Sequence, residues 1–248
     1  MHVTAMTPLT LRETLAFVAP ALSTRRRVLE VGCGDGSLAG QLAAQAHDVV
    51  AIDTRLRDTP RSPRVRFEET DLLRFTSEQP FDAVVAVTVL HHLTPLDANV
   101  ARLRELLVPG GVLVVDDFDL AAPDETTARW YYDTQDLLAV AGRFPAEAVH
   151  GAPSEPPLER WHHEHEHHDE PLHTGAAMLT ALRDGGFEVS QVTRGPYLFR
   201  YLARGAIEAH DNTVSGERVA EHLLTVEQRR LDEHSLQPVG LRILAHRR

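Results

Sequence analysis

Residues 28–36 read VLEVGCGDG, a short aliphatic run followed by three glycines at every second position. Residues 37–44 place apolar side chains at helical spacing, so the whole stretch predicts a strand, a tight turn and a helix. A glycine turn lets the backbone approach a ligand closely, and the helix that follows offers free amide groups to it. The stretch therefore predicts a nucleotide or nucleoside site in an α/β sheet.

A second predicted strand, residues 47–53, ends in the acid Asp53, 17 residues after Gly36. An acid at this place can accept hydrogen bonds from ribose hydroxyls. Taken alone, Asp53 is equally typical of a strand-end residue that caps a turn. Its spacing from the glycine turn favours ribose binding.

Three more predicted strands follow, at residues 64–68, 80–90 and 112–118. Asp71 comes just after the third strand, where it can bind an adenine amino group or cap a helix. His91 and His92 follow the fourth strand, whose continuous apolar run indicates burial on both faces. Because predicted helices separate the strands, we expect a parallel sheet with helices on both sides.

Together these stretches resemble the class I S-adenosylmethionine-dependent methyltransferases of small-molecule type. The resemblance covers nearly half of the chain, from about residue 25 to residue 118, and its matching stretches are 28–36, 51–53, 70–72, 81–93 and 106–113. It implies a Rossmann-like seven-stranded α/β sheet, mostly parallel with an antiparallel last strand. The spacing Gly-x-Gly-x-Gly after Glu30 favours this family over the nicotinamide dehydrogenases.

The resemblance also implies cofactor contacts for S-adenosylmethionine. Its methionine end would lie against Glu30, Gly32 and Gly34, and its amino group against the backbone near Val87. Asp53 would hold the ribose. The full set of expected cofactor-binding residues is Glu30, Gly32, Cys33, Gly34, Asp53, Thr54, Asp71, Leu72, Val87 and His92.

We expect one methyltransferase domain over residues 1–248, built from four consecutive parts. These are an N-terminal helix in 1–24, the cofactor-binding half in 25–118, a lid and substrate insert in 119–175, and C-terminal sheet and helices in 176–248. Helix is predicted for 123–142, loop for 144–157, and the last two strands for 186–193 and 239–246. Between those strands, residues 196–210 and 214–234 are predicted to be helical, although 196–202 could also form a strand, and the simplest form of the fold has a short hairpin there.

Six histidines fall between His162 and His173, interspersed with acids. One interpretation is a solvated polar segment, and a second is a lid that binds substrate and exchanges protons, because histidine titrates near neutral pH. A third is a divalent metal site, although the segment lacks a defined ligand spacing and we assign no metal ligands. The segment matches the motif His-Glu-x-x-His, but a run of alternating His and Glu matches this motif easily. The match therefore does not indicate a protease.

The predicted activity is methyl transfer from S-adenosylmethionine to an oxygen or nitrogen of a small-molecule acceptor. Candidate proton acceptors are His91, His92, His163 and His167. The alternatives are a metal-assisted methyltransferase that uses the histidine-rich insert, a non-catalytic S-adenosylmethionine-binding module, and an enzyme that modifies a protein.

A net charge of −11 disfavours nucleic acid as a partner. No apolar run is long enough to span a membrane. With one cysteine and no secretory signal, we expect a cytoplasmic monomer or homodimer.

Overall fold

The structure is a computed structural model that describes residues 6–56, 62–144, 155–166, 171–208 and 215–248, without the side chains of 204–208. Its strands are β1 (Arg27–Val31), β2 (Asp48–Asp53), β3 (Val65–Glu69), β4 (Phe81–Val87), β5 (Leu107–Phe118), β6 (Phe187–Gly195) and β7 (Gly240–Arg247). Its helices are α1 (Pro8–Leu22), α2 (Ser37–Ala44), α3 (Leu96–Leu106), α4 (Glu125–Val140), α5 (Pro157–Glu166), α6 (Gly175–Asp184), α7 (Leu198–Glu208) and α8 (Gly216–Asp232).

The seven strands form one sheet in the order β3-β2-β1-β4-β5-β7-β6. The pairs from β3 to β5 are parallel, and β7 pairs antiparallel with both β5 and β6. The predicted fold is therefore confirmed, and β7 is the antiparallel strand. The strand order reverses between β1 and β4, and open α/β sheets bind ligands at the carboxyl ends of such strands.

Helices cover both faces of the sheet. On one face α3 and α6 pack against the strands through residues such as Leu103 and Leu182. On the other face α1 and α2 pack through residues such as Leu22 and Leu42. The central strands are buried on both sides, which is why their sequences are continuous apolar runs.

A third apolar cluster joins α4, α5, α7 and α8 to the carboxyl end of β5. It is rich in aromatic side chains, and it includes Phe118 at the end of β5 and Leu9 from α1. Its other aromatic members that are buried are Tyr131, Tyr132, Trp161, Tyr197 and Phe199. The insert after β5 therefore contributes to a layer at the predicted ligand-binding edge of the sheet.

Element bounds differ from the sequence prediction in two places that matter for the site. Strand β4 ends at Val87 instead of continuing along the apolar run, because Thr88 has a positive φ of 53° and a 3₁₀ turn (Leu90–His92) follows. Part of the predicted polar lid segment is helical, since Trp161 to Glu166 lie in α5. The predicted loop 144–157 falls mostly outside the described residues.

The segment between the last two strands contains α7 and α8, which confirms the helices predicted in 196–210 and 214–234. Among the described residues, no helix is both long and apolar enough to cross a membrane.

Candidate functional site

The glycine turn after β1 brings the backbone of Gly32 against the side chain of Val89. Gly32 has a φ of +73°, and a Cβ at this position would lie 2.6 Å from Val89 Cγ2. The Gly32 and Cys33 amides both donate to the Ile52 carbonyl, at 2.8 and 3.1 Å. The Gly34 amide donates to Asp53 Oδ2 at 2.9 Å. The turn is thus fixed to the end of β2 and has no room for a side chain at Gly32.

A cavity of about 570 Å³ opens at the carboxyl ends of β1, β2 and β4. Six of the predicted cofactor-binding residues line it, namely Gly32, Asp53, Thr54, Asp71, Leu72 and His92. Thr88, Val89, Thr94 and Asn99 also line it and were not predicted. Glu30, Cys33, Gly34 and Val87 are not among its lining residues. Val87 is buried in β4, one residue before Thr88.

Asp53 and Asp71 each stabilise a turn and line the cavity. Asp53 Oδ1 accepts from the Arg55 amide at 3.0 Å, so this carboxylate stabilises a turn and also faces the cavity. Asp71 Oδ1 accepts from the Arg74 amide at 3.0 Å, and its Oδ2 lies 3.2 Å from Arg74 Nε. A carboxylate has about four lone-pair sites, so both residues can still accept hydrogen bonds from a ligand.

Glu30 is a buried acid behind the glycine turn. Its Oε2 is closed to solvent and has no hydrogen-bond partner among the described residues. Burial raises the pKa of Glu30 to about 8, the nearby carboxylates of Asp35 and Asp53 raise it too, and a backbone hydrogen bond from Ala39 opposes them. Burial, followed by the charge of Glu30, also raises the pKa of the Cys33 thiol. The site can therefore hold a proton here or neutralise a cation.

His91 and Asp117 form a buried pair at the carboxyl ends of β4 and β5. His91 Nδ1 lies 2.7 Å from Asp117 Oδ1, and the side chains are 4% and 0% exposed. Asp117 also accepts from the backbone amides of His91 and Phe118. With Nδ1 donating to the carboxylate, His91 Nε2 keeps a lone pair and can accept a proton. The His91 ring lies 4.0 Å from the ring of His92, which lines the cavity.

Of the described histidines of the insert, His173 lies at this pair, because its amide donates to the His91 carbonyl at 2.9 Å and its Nε2 is 3.3 Å from Thr94 Oγ1. His163 lies in α5 with its ring against Glu155, and its side chain is 57% exposed. His165 is buried, bonds the Trp161 carbonyl through Nδ1 at 2.7 Å, and stacks on the Trp161 ring. His167 lies outside the described residues. Within the described ranges, no three His, Cys, Asp or Glu side chains are grouped to hold a metal ion.

A second ionic cluster surrounds Asp116, the residue before Asp117. Asp116 accepts from Thr14 Oγ1 at 2.9 Å, Arg200 Nη2 at 2.8 Å and Arg242 Nε at 3.2 Å. Burial would raise the pKa of Asp116, but the two guanidinium groups outweigh it and hold the pKa below its ordinary value. Arg200 comes from α7, whose first amide groups donate to the buried carboxylate of Glu227.

Sequence reasoning missed Asp117, Thr88, Arg200 and Glu227. Asp116-Asp117 is visible as an acidic pair ending an apolar strand, a signal that resembles the one used for Asp53. For Arg200 and Glu227 the sequence holds no comparable signal, because both lie in helices with ordinary charge patterns.

The chain is similar to known proteins in sequence and in fold. The profile of a family described as a methyltransferase domain matches residues 5–192. An uncharacterised methyltransferase of Mycobacterium bovis is 33% identical over 168 residues, which is 62% of this chain and 81% of the relative. The trans-aconitate 2-methyltransferase of Methylobacterium radiotolerans is 33% identical over 140 residues, or 54% of this chain and 50% of that enzyme.

Among solved structures, phosphoethanolamine N-methyltransferase 2 of Haemonchus contortus, in complex with S-adenosylmethionine, has a TM-score of 0.59. The alignment covers 95% of this chain and 52% of that one, at 16% sequence identity. A likeness at this identity concerns the fold.

Proposed function

The chain belongs to the methyltransferase-domain family of S-adenosylmethionine-dependent enzymes, and on that premise we propose that it methylates an oxygen or nitrogen of a small-molecule acceptor. The observation that carries the proposal is the buried His91–Asp117 pair beside the cavity of the glycine turn. A hydroxyl or a protonated amine must lose a proton when it is methylated, and this pair offers a proton acceptor.

The residues of the cavity fit S-adenosylmethionine. Asp53 would accept the ribose hydroxyls, and Asp71 with Leu72 would hold the adenine. Gly32 lines the cavity where the methionine end would lie, and a cation there would favour the ionised form of Glu30, whose Oε2 has no hydrogen-bond partner among the described residues. When bound, S-adenosylmethionine supplies an electrophilic methyl group, so the chain itself has to bind, align and deprotonate the acceptor.

His91 takes the role of proton acceptor in this proposal. Asp117 holds the ring in the tautomer with the proton on Nδ1, and its charge stabilises the imidazolium that forms at His91. His92 lines the cavity next to this ring and contacts the cofactor or the acceptor. His163 and His167 remain candidates for contacts with the acceptor from the insert.

Two further observations support a small-molecule acceptor. The relative from Methylobacterium radiotolerans is named for trans-aconitate, which is a small molecule. The net charge of −11 opposes the binding of a polyanion.

The test is methyl transfer from methyl-labelled S-adenosylmethionine to a panel of hydroxylated and amino metabolites. We expect turnover with at least one acceptor, and we expect His91→Gln to lower kcat by about 10²-fold or more because a positioned proton acceptor contributes that much. His222→Gln, at an exposed position of α8, is the matched control. Binding of S-adenosylmethionine without turnover on any acceptor would support the non-catalytic module instead, and an unchanged kcat in His91→Gln would remove His91 from the mechanism.

A further inference from the structure

Arg200 is a buried cation whose hydrogen-bonding capacity is only partly used. Its side chain is 8% exposed, and Nη2 donates to Asp116 Oδ2 at 2.8 Å. Nε and Nη1 are closed to solvent and have no hydrogen-bond partner among the described residues. Buried donors on a charged group are costly when they lack acceptors, so this arrangement needs an explanation beyond the ion pair.

The needs of Asp116 do not supply that explanation. Asp116 already accepts from Thr14 and from Arg242 Nε, so one cation would balance its charge without Arg200. The one hydrogen bond from Arg200 Nη2 supplies any further donor that the Asp116 carboxylate needs. Within the part of the chain that the structure describes, Arg200 Nε and Nη1 have no acceptor.

The guanidinium also lies close to the proposed reaction site. Its Cζ is 5.0 Å from the centre of the Tyr197 ring, and the Tyr197 hydroxyl is hydrogen-bonded to Thr88. Thr88 lines the cavity of the glycine turn, and its amide donates to the Asp116 carbonyl at 2.9 Å. Arg200 is therefore placed at the carboxyl ends of β4 and β5, where ligands bind in this type of sheet.

An aromatic wall connects Arg200 with the His91–Asp117 pair. Tyr197 stacks on Phe118 with ring centres 4.9 Å apart, and Phe118 lies 4.5 Å from the His91 ring. Phe118 and Tyr197 are both buried, so His91 and Arg200 lie at the two ends of one row of packed rings.

We propose that Arg200 binds a carboxylate of a ligand in this site, an inference that rests on the function proposed above. Two ligands carry such a group: an acidic acceptor, or the methionine part of S-adenosylmethionine. Arginine is well suited to this contact, because its planar guanidinium matches the geometry of a carboxylate.

The first arm of the test separates the cofactor from the acceptor by calorimetry. S-adenosylhomocysteine contains the methionine carboxylate, and 5′-methylthioadenosine is the same nucleoside without the amino acid. If the cofactor is the source, Arg200→Met weakens binding of S-adenosylhomocysteine by about tenfold or more and changes that of 5′-methylthioadenosine by less than about twofold.

The second arm uses protein saturated with S-adenosylhomocysteine and titrates it with benzoate and benzamide, and with succinate and succinamide. If the acceptor is the source, the native protein prefers an acid over its amide by about tenfold, and Arg200→Met loses that preference. Neither arm requires turnover. A failure to find methyl transfer would therefore contradict the proposed function but would not decide the role of Arg200.

The matched control is Arg242→Met, which removes the other cation from Asp116 and leaves Arg200 in place. We expect it to lower stability and to leave both ligand preferences unchanged. Arg200→Lys keeps a positive charge near Asp116 and provides a folded variant if Arg200→Met fails to fold, with a partial loss of carboxylate binding. Two results together would overturn the proposal. The first is an unchanged affinity for S-adenosylhomocysteine in the Arg200 variant. The second is that the native protein shows no preference for acids over amides, or that the variant keeps this preference.

Discussion

The hydrogen bond between His91 and Asp117 determines which nitrogen of the imidazole is free to act. Asp117 accepts three hydrogen bonds, two of them from backbone amides, so its carboxylate is fixed in place. A fixed carboxylate on Nδ1 leaves Nε2 as the acceptor. The role of Asp117 is therefore to position and polarise His91, and it can be tested apart from His91 itself.

Replacing Asp117 by Asn keeps the shape and removes the charge. An Asn amide can donate to Nδ1 and so place the proton on Nε2, where it blocks deprotonation of the acceptor. We expect kcat to fall by about 10²- to 10⁴-fold, with the KM for S-adenosylmethionine changed by less than about twofold.

The control for this substitution is Asp184→Asn at an exposed position in α6. Thermal unfolding of both variants checks that the fold persists. An Asp117→Asn variant with native kcat and a native pH profile would show that the His91–Asp117 pair serves only the packing of the 3₁₀ turn.

At the scale of elements, the α7–α8 pair is the part that the chain adds between β6 and β7. Glu227 in α8 is buried and accepts from the amides of Tyr197, Leu198 and Phe199 at 2.7, 3.0 and 2.7 Å. The first turn of a helix has amide groups without internal partners, and a carboxylate there satisfies them and favours the helix dipole. This contact sets the position of the turn that carries Tyr197 and Arg200.

Glu227→Gln tests that contact. An amide group offers one acceptor oxygen and brings its own donors against the backbone amides, so at least one bond is lost. At pH 8, above the value of about 7 to which burial raises the pKa of Glu227, we expect a loss of about 1–3 kcal/mol in the free energy of unfolding. Urea unfolding measures it.

Glu221→Gln on the same helix is the comparison, because Glu221 forms an exposed ion pair with Arg12 at 3.4 Å. Pairs of this kind contribute about 0–1 kcal/mol, so the Glu221 variant should stay close to native stability. Equal stability of the two variants would show that the Glu227 carboxylate does not hold α7.

For the molecule as a whole, the sequence predicted what depends on local pattern. The glycine turn, the acid at the end of β2 and the alternation of strands and helices follow from spacing alone, and the structure confirms the sheet that they imply. The contacts that distinguish this chain are between distant residues. His91 contacts Asp117 because Val87 of β4 pairs with Asp116 of β5 and a 3₁₀ turn follows Thr88. The apolar sequence of β4 predicts neither this strand register nor the turn.

Glu30 links the chemistry of one residue to the stability of the whole chain. Its pKa is about 8 in the folded chain against 4.5 as an ordinary value, so folding retains a proton that the unfolded chain has lost between these pH values. Stability is then highest below pH 4.5 with respect to this group and declines as pH rises towards 8, by up to about 1.4 kcal/mol per pH unit. Glu30→Gln has no such proton to lose.

We therefore expect the difference in unfolding free energy between Glu30→Gln and the native chain to shift in favour of the variant by about 1 kcal/mol or more from pH 5 to pH 8. Glu188→Gln changes an exposed carboxyl in β6, so the unfolding free energy of this variant should depend on pH in the same way as that of the native chain. A cationic ligand beside Glu30 favours its ionised form, so S-adenosylmethionine should bind the native chain more tightly at pH 8 than at pH 6 and release a proton. Calorimetry in two buffers of different ionisation enthalpy detects that proton, and its persistence in Glu30→Gln would assign the titration to another group.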